Sequence, residues 1–304
     1  MEICTIHIGQ PQSDSFGASL QQLLPVLKKY NEVIKSDYQI MFDLPSLDFV
    51  HPFLILPVAA LIVNAMKTGN FFGFEKCKTG YLEKLAFPSG VLSKGKIESG
   101  ELLDQYRTKT YLPVCSFPSK LDLEAKEVRD SLLESFNGLL AYKLKLKGVM
   151  RSVLSYLITE AIDNIIEHAQ CEKGWLMAQY YPKKGYFDLC ICDLGIGLLQ
   201  SYLRSRKYPE ITTHEKAINE AIHGKSTKNI PENRGFGLST SRTMLVDGLS
   251  GKYFMFSGDS FYVWTDMTEQ ITQTPHNVEF PGTMISMRIP QTIPSEFNFY
   301  DFVG

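Results

Sequence analysis

Eleven consecutive residues, Phe53 to Val63, carry no polar side chain. Such a run has to leave water, either in a bilayer or in a protein core. A membrane-spanning helix needs about 18 or more residues of this kind. This run is shorter, contains Pro57, and is bracketed by His51 and Asn64. It therefore reads as a buried core helix. Pro52 stands where a helix can start, Pro57 predicts an irregular first turn, and Gly69 supplies a stop after about Lys67.

Length and composition fit a globular chain around that helix. At ~150 residues per domain, the 304 residues predict two domains. A hydrophobic fraction of 44% and a charged fraction of 21% exclude disordered and fibrous classes. The 31 Lys and Arg against 33 Asp and Glu give a net charge of −2. No basic excess carries the chain onto nucleic acid or an anionic membrane. Met1 to Cys4 lacks the basic and apolar regions of a signal peptide. The six cysteines are scattered, and Cys190 and Cys192 share one strand face rather than forming a CxxC pair. They are expected to be reduced and mostly buried, in a cytoplasmic protein.

Strand and helix patterns alternate through the first half. Ile3 to Ile8 and Tyr38 to Leu44 read as strands, Ser15 to Ile34 as a helix, and Phe71 to Phe74 as a third strand. Tyr81 to Phe87 reads as a short helix, and Pro88 to Lys109, with three glycines and mixed charge, as a loop-rich connection. Tyr111 to Phe117, flanked by prolines, reads as an edge strand. Beyond Lys120 come two helices, Leu121 to Leu144 and Gly148 to Ala169. Two strands follow, Trp175 to Tyr181 and Tyr186 to Asp193, joined through a Pro-Lys-Lys-Gly turn. The division between domains is placed there, at 1–120 and 121–304.

Four places carry residue types with chemical potential. On the helix VLSYLITEAIDNIIEHA, Glu160, Asn164 and His168 recur every fourth residue and share a face. They are either a solvated stripe or a working one. An amide oxygen ligates a hard cation such as Mg²⁺, and a carboxylate one turn away deprotonates a water or hydroxyl. Next, the strand Tyr186 to Asp193 ends in Asp193-Leu194-Gly195-Ile196-Gly197. A carboxylate closing an apolar stripe needs donors; it caps the following helix or receives a donor-rich ligand such as an adenine amine. A third glycine is missing, so this is not a dinucleotide fingerprint. Third, Arg234-Gly235-Phe236-Gly237-Leu238 leads into a helix, a geometry that offers backbone N–H groups to an anion. Fourth, Pro281-Gly282-Thr283 opens a late strand, Met284 to Ile289, where Thr283 either bonds a ligand or belongs to a turn. Gly224-Lys225-Ser226-Thr227 looks like the end of a P-loop, but the required earlier glycine is Asn219. The segment Tyr208 to Asn233 reads as a mobile lid, from which Lys225 and Lys228 reach a phosphate or stay solvated.

Taken in order, these motifs resemble the GHKL superfamily of ATP-binding proteins (gyrase, heat-shock chaperone, histidine kinase and mismatch-repair ATPases) over about Leu121 to Pro290. Glu160 and Asn164 match its N-box, Asp193, Gly195 and Gly197 its first glycine box, Gly235, Gly237 and Leu238 its second, and Thr283 its late-strand threonine. The resemblance implies a Bergerat-type two-layer α/β sandwich with ATP between the helical layer and the lid. It implies that Asp193 receives the adenine amino group and that Asn164 holds Mg²⁺ on the phosphates. It further implies that Gly235 and Gly237 give backbone amides to the phosphates and that Glu160 is the general base. Arg234, Phe236, Lys225 and Leu238 complete the expected nucleotide contacts. The first half resembles a STAS-like α/β domain through Met41 to Val50 and the helix after it. The loop position that carries a phosphorylated serine in anti-sigma-factor antagonists is here His51-Pro52-Phe53. His51 is a surface or structural histidine, or a phosphoacceptor.

Three functions follow from the resemblance: an ATP-hydrolysing switch, a Ser/Thr protein kinase of the anti-sigma-factor type acting on a regulatory partner, or a nucleotide-gated binding module. The glutamate at 160 favours the first two over a histidine kinase, and the helix Leu121 to Leu144 holds no histidine. A homodimer is compatible with the family.

Overall fold

The computed structural model describes residues 2–44, 47, 49, 51–75, 80–91, 96–146, 148–225, 227 and 237–303. Its two sheets are a parallel one of three strands and an antiparallel one of seven. The small sheet is built from β1 (Ile3–His7), β2 (Gln39–Asp43) and β3 (Phe71–Glu75), joined by α1 (Phe16–Val33) and α2 (Pro52–Thr68). The Ser15 hydroxyl caps α1 by accepting from the Ala18 N–H, and Gly69 ends α2 in the left-handed conformation. Short helices α3 (Tyr81–Lys84) and α4 (Lys96–Asp104) then lead to β4 (Tyr111–Pro118) and α5 (Leu123–Lys143).

The remaining elements are α6 (Val149–Asn164), β5 (Lys173–Tyr181), β6 (Tyr186–Asp193), α7 (Gly197–Ser205) and α8 (His214–Ile222). After them come α9 (Gly237–Thr243), β7 (Lys252–Gly258), β8 (Ser260–Trp264), β9 (Glu269–Gln273), β10 (Phe280–Pro290) and α10 (Tyr300–Val303). The large sheet runs β4-β5-β6-β10-β7-β8-β9, so β4 is an edge strand, as its prolines predict. The expected division near Lys120 falls just after a strand that belongs to the large sheet.

The apolar helix is apolar all round because it is covered on both sides. α1 and α2 lie between the two sheets: α2 contacts β3 on one side and β5, β6 and β10 on the other. Phe53 packs on Phe254 with ring centroids 4.6 Å apart. Phe254 sits in one row with Ser286 and Cys190, across β7, β10 and β6. That row faces α2, while the alternate row, Met255, Ile285 and Ile191, faces α6 and α7. Both rows are buried, so β6 is buried at Phe187 to Asp193 on both faces. α2 runs through Pro57 without a break, because Ile55 and Leu54 already bond the His51 carbonyl and the helix is held from both sides. Among the described residues no helix is long and apolar enough to cross a membrane.

One segment differs from the sequence expectation, and a second carried none. The stretch Pro88 to Lys109 contains α4, which packs on α5 through Leu103 despite Gly100 within it. The strands β7, β8 and β9, a meander from 252 to 273, carry aromatic residues on both faces and give no clean alternation. Cys4, Cys115, Cys190 and Cys192 are buried free thiols and Cys171 is half-buried; Cys77 lies outside the described residues.

A buried ionic cluster fastens the N-terminal layer to the large sheet. Arg288 on β10 donates to both Asp188 oxygens on β6, at 2.7 and 2.8 Å, and to the Asp14 carbonyl at 2.6 Å. Lys184 and the Tyr186 hydroxyl donate to the Asp14 carboxylate. Beside this cluster the His51 Nδ1 and the Tyr181 hydroxyl share a hydrogen bond of 2.7 Å. Burial pushes the His51 imidazole down to about 4. At 6% exposure and hydrogen-bonded to Tyr181, His51 stands here as a structural rather than a surface histidine.

Candidate functional site

The stripe on α6 and the end of β6 meet. Asn164, His168, Asp193, Gly197, Ser201, Leu238 and Thr283 line one pocket, floored by Ile191 and Ile285. Its internal space is about 30 Å³, room for a water or so. α6 reaches it through a π-helical turn, Ile165–Ala169, which swings His168 to the rim. Thr227 bridges two rim residues, with its hydroxyl 3.1 Å from His168 Nδ1 and 3.3 Å from Ser201 Oγ.

Asp193 is 1% exposed. Its Oδ1 accepts from the Gly195 N–H at 2.7 Å. Burial pushes its carboxyl up to about 7, against the pull of the Gly195 and Thr283 backbone donors. It does not cap α7, whose N-cap is Ile196. The capping alternative is thereby removed, and a carboxyl group remains at the pocket wall, kept there at a cost in solvation.

The turn after Asp193 has room only for glycine. A Cβ on Gly195 would lie 2.0 Å from the Ala169 carbonyl oxygen at the end of the π turn. That same carbonyl accepts from the Ile196 N–H at 2.8 Å, so the contact cannot relax without losing the bond. Gly282, at φ +109°, meets the turn from the other side; a Cβ there would lie 2.3 Å from the Asp193 carbonyl oxygen. Three backbone segments thus close on the carboxyl group.

Asn164 donates its amide N–H to the Glu160 carbonyl at 2.6 Å. With the NH₂ end spent on the helix, the carbonyl Oδ1 is the group left for a ligand or a cation. Glu160 is half-buried on the same face, against the start of α9: a Cβ on Gly237 would lie 2.0 Å from its Oε2. An open groove lined by Arg151, Ser155, Tyr156 and Thr159 runs along α6 to Glu160.

Lys225 is turned elsewhere. Its ammonium bonds Glu210 at 2.8 Å and Glu220 at 3.0 Å, lies 4.9 Å from the Tyr208 ring centroid, and does not line the pocket. Lys228, Arg234, Gly235 and Phe236 lie outside the described residues. Sequence reasoning missed Ser257. Fully buried at the end of β7, it donates to the Gly282 carbonyl at 2.8 Å and accepts from the Leu198 N–H at 3.0 Å. It ties the start of α7 to β10 beneath the pocket. A serine closing an aromatic strand before Gly258-Asp259 reads as a turn signal, so its sequence gives no sign of that position.

No group of three or more His, Cys, Asp or Glu side chains among the described residues is placed to hold a metal ion. A divalent cation here would have Asn164 Oδ1, with Glu160 one turn away, and would take its other ligands from phosphate and water, which suits Mg²⁺. No family model, curated protein or solved structure matches the chain.

Proposed function

We propose that the protein is a Mg-ATP-binding regulatory protein of the GHKL kind, with the Bergerat arrangement over residues 121–304 and ATP hydrolysis as its reaction. One observation carries this reading. A buried carboxyl on β6 shares a single pocket with Asn164 of α6, Leu238 of α9 and Thr283 of β10, all four named by the motif order alone. The convergence of four residues scattered over 120 positions supports a shared role. The element order supports it as well: the polar-stripe helix, the Asp strand, the two-helix stretch and the glycine-led helix stand as successive elements around one sheet.

In this reading Asp193 accepts a hydrogen bond from the adenine amine. Asn164 holds the magnesium ion, which supplies charge neutralisation on the phosphates when bound. Gly237 and Leu238 begin the helix nearest the phosphates, and Gly235 belongs with them. Glu160 takes a proton from the attacking water as the bond between water oxygen and γ-phosphorus forms and the bond to the leaving ADP oxygen breaks. The pocket's small volume means that a purine enters by parting the Thr227 bridge from His168 and Ser201. The STAS-like reading of the first half rests on its βαβαβ order and parallel register.

A second reading is favoured by the groove along α6. It is open to solvent and ends at Glu160, so a serine or threonine of a partner protein can replace water as the nucleophile. The test addresses both. Glu160→Gln is expected to keep the affinity for a non-hydrolysable ATP analogue and to lower turnover by roughly 10²–10⁴. Turnover is read as free phosphate and as label transferred to lysate proteins. Undiminished turnover in the variant would remove Glu160 from the chemistry; labelled protein without free phosphate would make the kinase reading the correct one.

A further inference from the structure

At the N-terminal end of α6, away from the Asp193 pocket at its other end, lies a second cavity, an open cleft of about 720 Å³. Arg107, Lys109, Lys143, Lys145 and Arg151 line it, with Tyr142 and Tyr180, and no carboxylate stands among its lining residues. It shares no residue with the pocket around Asp193. We propose that this cleft binds a compact, multiply charged phosphate ligand, bearing a di- or triphosphate group.

The chain as a whole is slightly acidic, at −2, so five cations in one concavity are not a sample of a basic surface. Like charges brought together repel unless an anion joins them. Asp104 pairs with Arg107 at the rim at 2.9 Å. The cations are also held in place. Lys143 donates to the carbonyls of Tyr106, Arg107 and Lys109, which fastens their loop against the end of α5. The Arg107 guanidinium lies 4.6 Å from the centroid of the Tyr142 ring. A planar fork stacked in this way is set for phosphate oxygens.

Lys145 makes the strongest local argument. It follows the C-cap of α5 with φ 54°, in the left-handed region. Glycine or asparagine adopts that conformation with less strain and is usual there. A lysine at this position lines the cleft at the expense of the backbone. Gly148 then starts α6 without a side-chain cap, between Leu146 and Arg151, both of which line the cleft. The positive end of a 16-residue helix adds to the same field.

The shape selects the ligand. An acidic peptide spreads its charges at ~3.3 Å per residue, whereas cations that converge on one cleft are matched by charge packed into a few ångströms. The volume falls within the roughly 300–1,000 Å³ of small-molecule sites. Arg151 also begins the groove that runs along α6 to Glu160. At 1.5 Å per residue the two ends lie about 14 Å apart, so occupancy of the cleft is placed to be felt at the α6 stripe.

Isothermal titration of the full chain with tripolyphosphate, without nucleoside or metal, tests the proposal. One site is expected, weakening as salt is raised. Lys109→Glu and Arg151→Glu each lower the affinity about tenfold. Both positions are exposed, and unchanged thermal melts confirm that the variants fold. The Asp193→Asn chain keeps the tripolyphosphate site whether or not ATP occupies the other pocket. In that background, equal affinity for tripolyphosphate and ATP means that phosphate alone is read, and tighter ATP binding means that the ligand is a nucleotide. Absence of binding at millimolar ligand overturns the proposal. So does binding unaffected by both charge reversals, or a preference for a polyglutamate peptide of equal charge.

Discussion

Asp193→Asn is expected to lower the affinity for ATP at least about 100-fold while leaving the fold as stable as before or more so. The loss follows from hydrogen-bond direction. The side chain must accept from the Gly195 N–H, as Oδ1 does now at 2.7 Å. An asparagine satisfies that donor with its only oxygen and turns its NH₂ toward the ligand. Donor then faces donor at a buried wall, a loss of the hydrogen bond and a penalty for two unpaired groups. The gain in stability follows from the carboxyl's own environment, since burial raises it to about 7 and the amide carries no charge to desolvate. Calorimetric titration with a non-hydrolysable ATP analogue and a denaturant melt read the two effects. Retained affinity would overturn the adenine role of Asp193.

The same residue fixes a pH dependence. Its folded value, about 7, lies above the unfolded 3.8. Between these values the folded chain holds a proton that the unfolded chain releases, so stability falls as pH rises from about 4 to 7 and is flat beyond. The full effect is on the order of 4 kcal/mol. Ligand binding runs the other way, because an amine donor needs the ionised carboxylate. Affinity is therefore expected to rise from pH 5.5 toward 8, by up to about tenfold per unit below the folded value. In Asp193→Asn both slopes disappear.

Local features were legible in the sequence, and partners distant in the chain were not. Ser15 and Gly69 announce the ends of α1 and α2 because caps act within one helical turn. The polar stripe on α6 is legible for the same reason: residues four apart share a face whatever lies opposite. The π turn that brings His168 and Ala169 to the β6 turn has no such signature, although Gly195 is a glycine because of it. For Lys225 the sequence leaves phosphate contact and solvation open; its ion pairs with Glu210, 15 residues away, and Glu220, across the end of α8, are not signalled by any local pattern. α4 was hidden by Gly100, which lowers helix propensity; packing on α5 overrides that preference. The row of β6 opposite the pocket, Asp188, Cys190 and Cys192, is also buried. The sequence of β6 alone does not show that a helix 130 residues earlier covers it.

The least legible feature carries the largest structural prediction. Asp188 and Arg288 are 100 residues apart, on adjacent strands, in positions where alternation predicts polar, solvent-facing side chains, yet that face of the sheet is covered by the N-terminal layer. The Asp188 side chain is 3% exposed and the Arg288 side chain 11%. Each charge is tolerable only through the other. Arg288→Met should destabilise the chain by roughly 3–5 kcal/mol, because it strands a buried carboxylate and releases the Asp14 carbonyl at the head of α1. Asp188→Leu should cost a similar amount. The double variant should cost less than the two single losses together by at least ~2 kcal/mol, since an apolar pair leaves no charge stranded. Urea melts of the four proteins measure that coupling, and additive losses would mean that the two side chains are held independently. The coupling also says why the pair sits where it does. Arg288 joins β6, β10 and the segment before α1 at one point, with Lys184 and Tyr186 closing on Asp14 from the β5–β6 turn. An apolar contact there would pack as tightly yet fix no direction. A forked guanidinium accepts one arrangement of the two layers, and the wall of β6 that carries Asp193 keeps its register against β10 on the same strands.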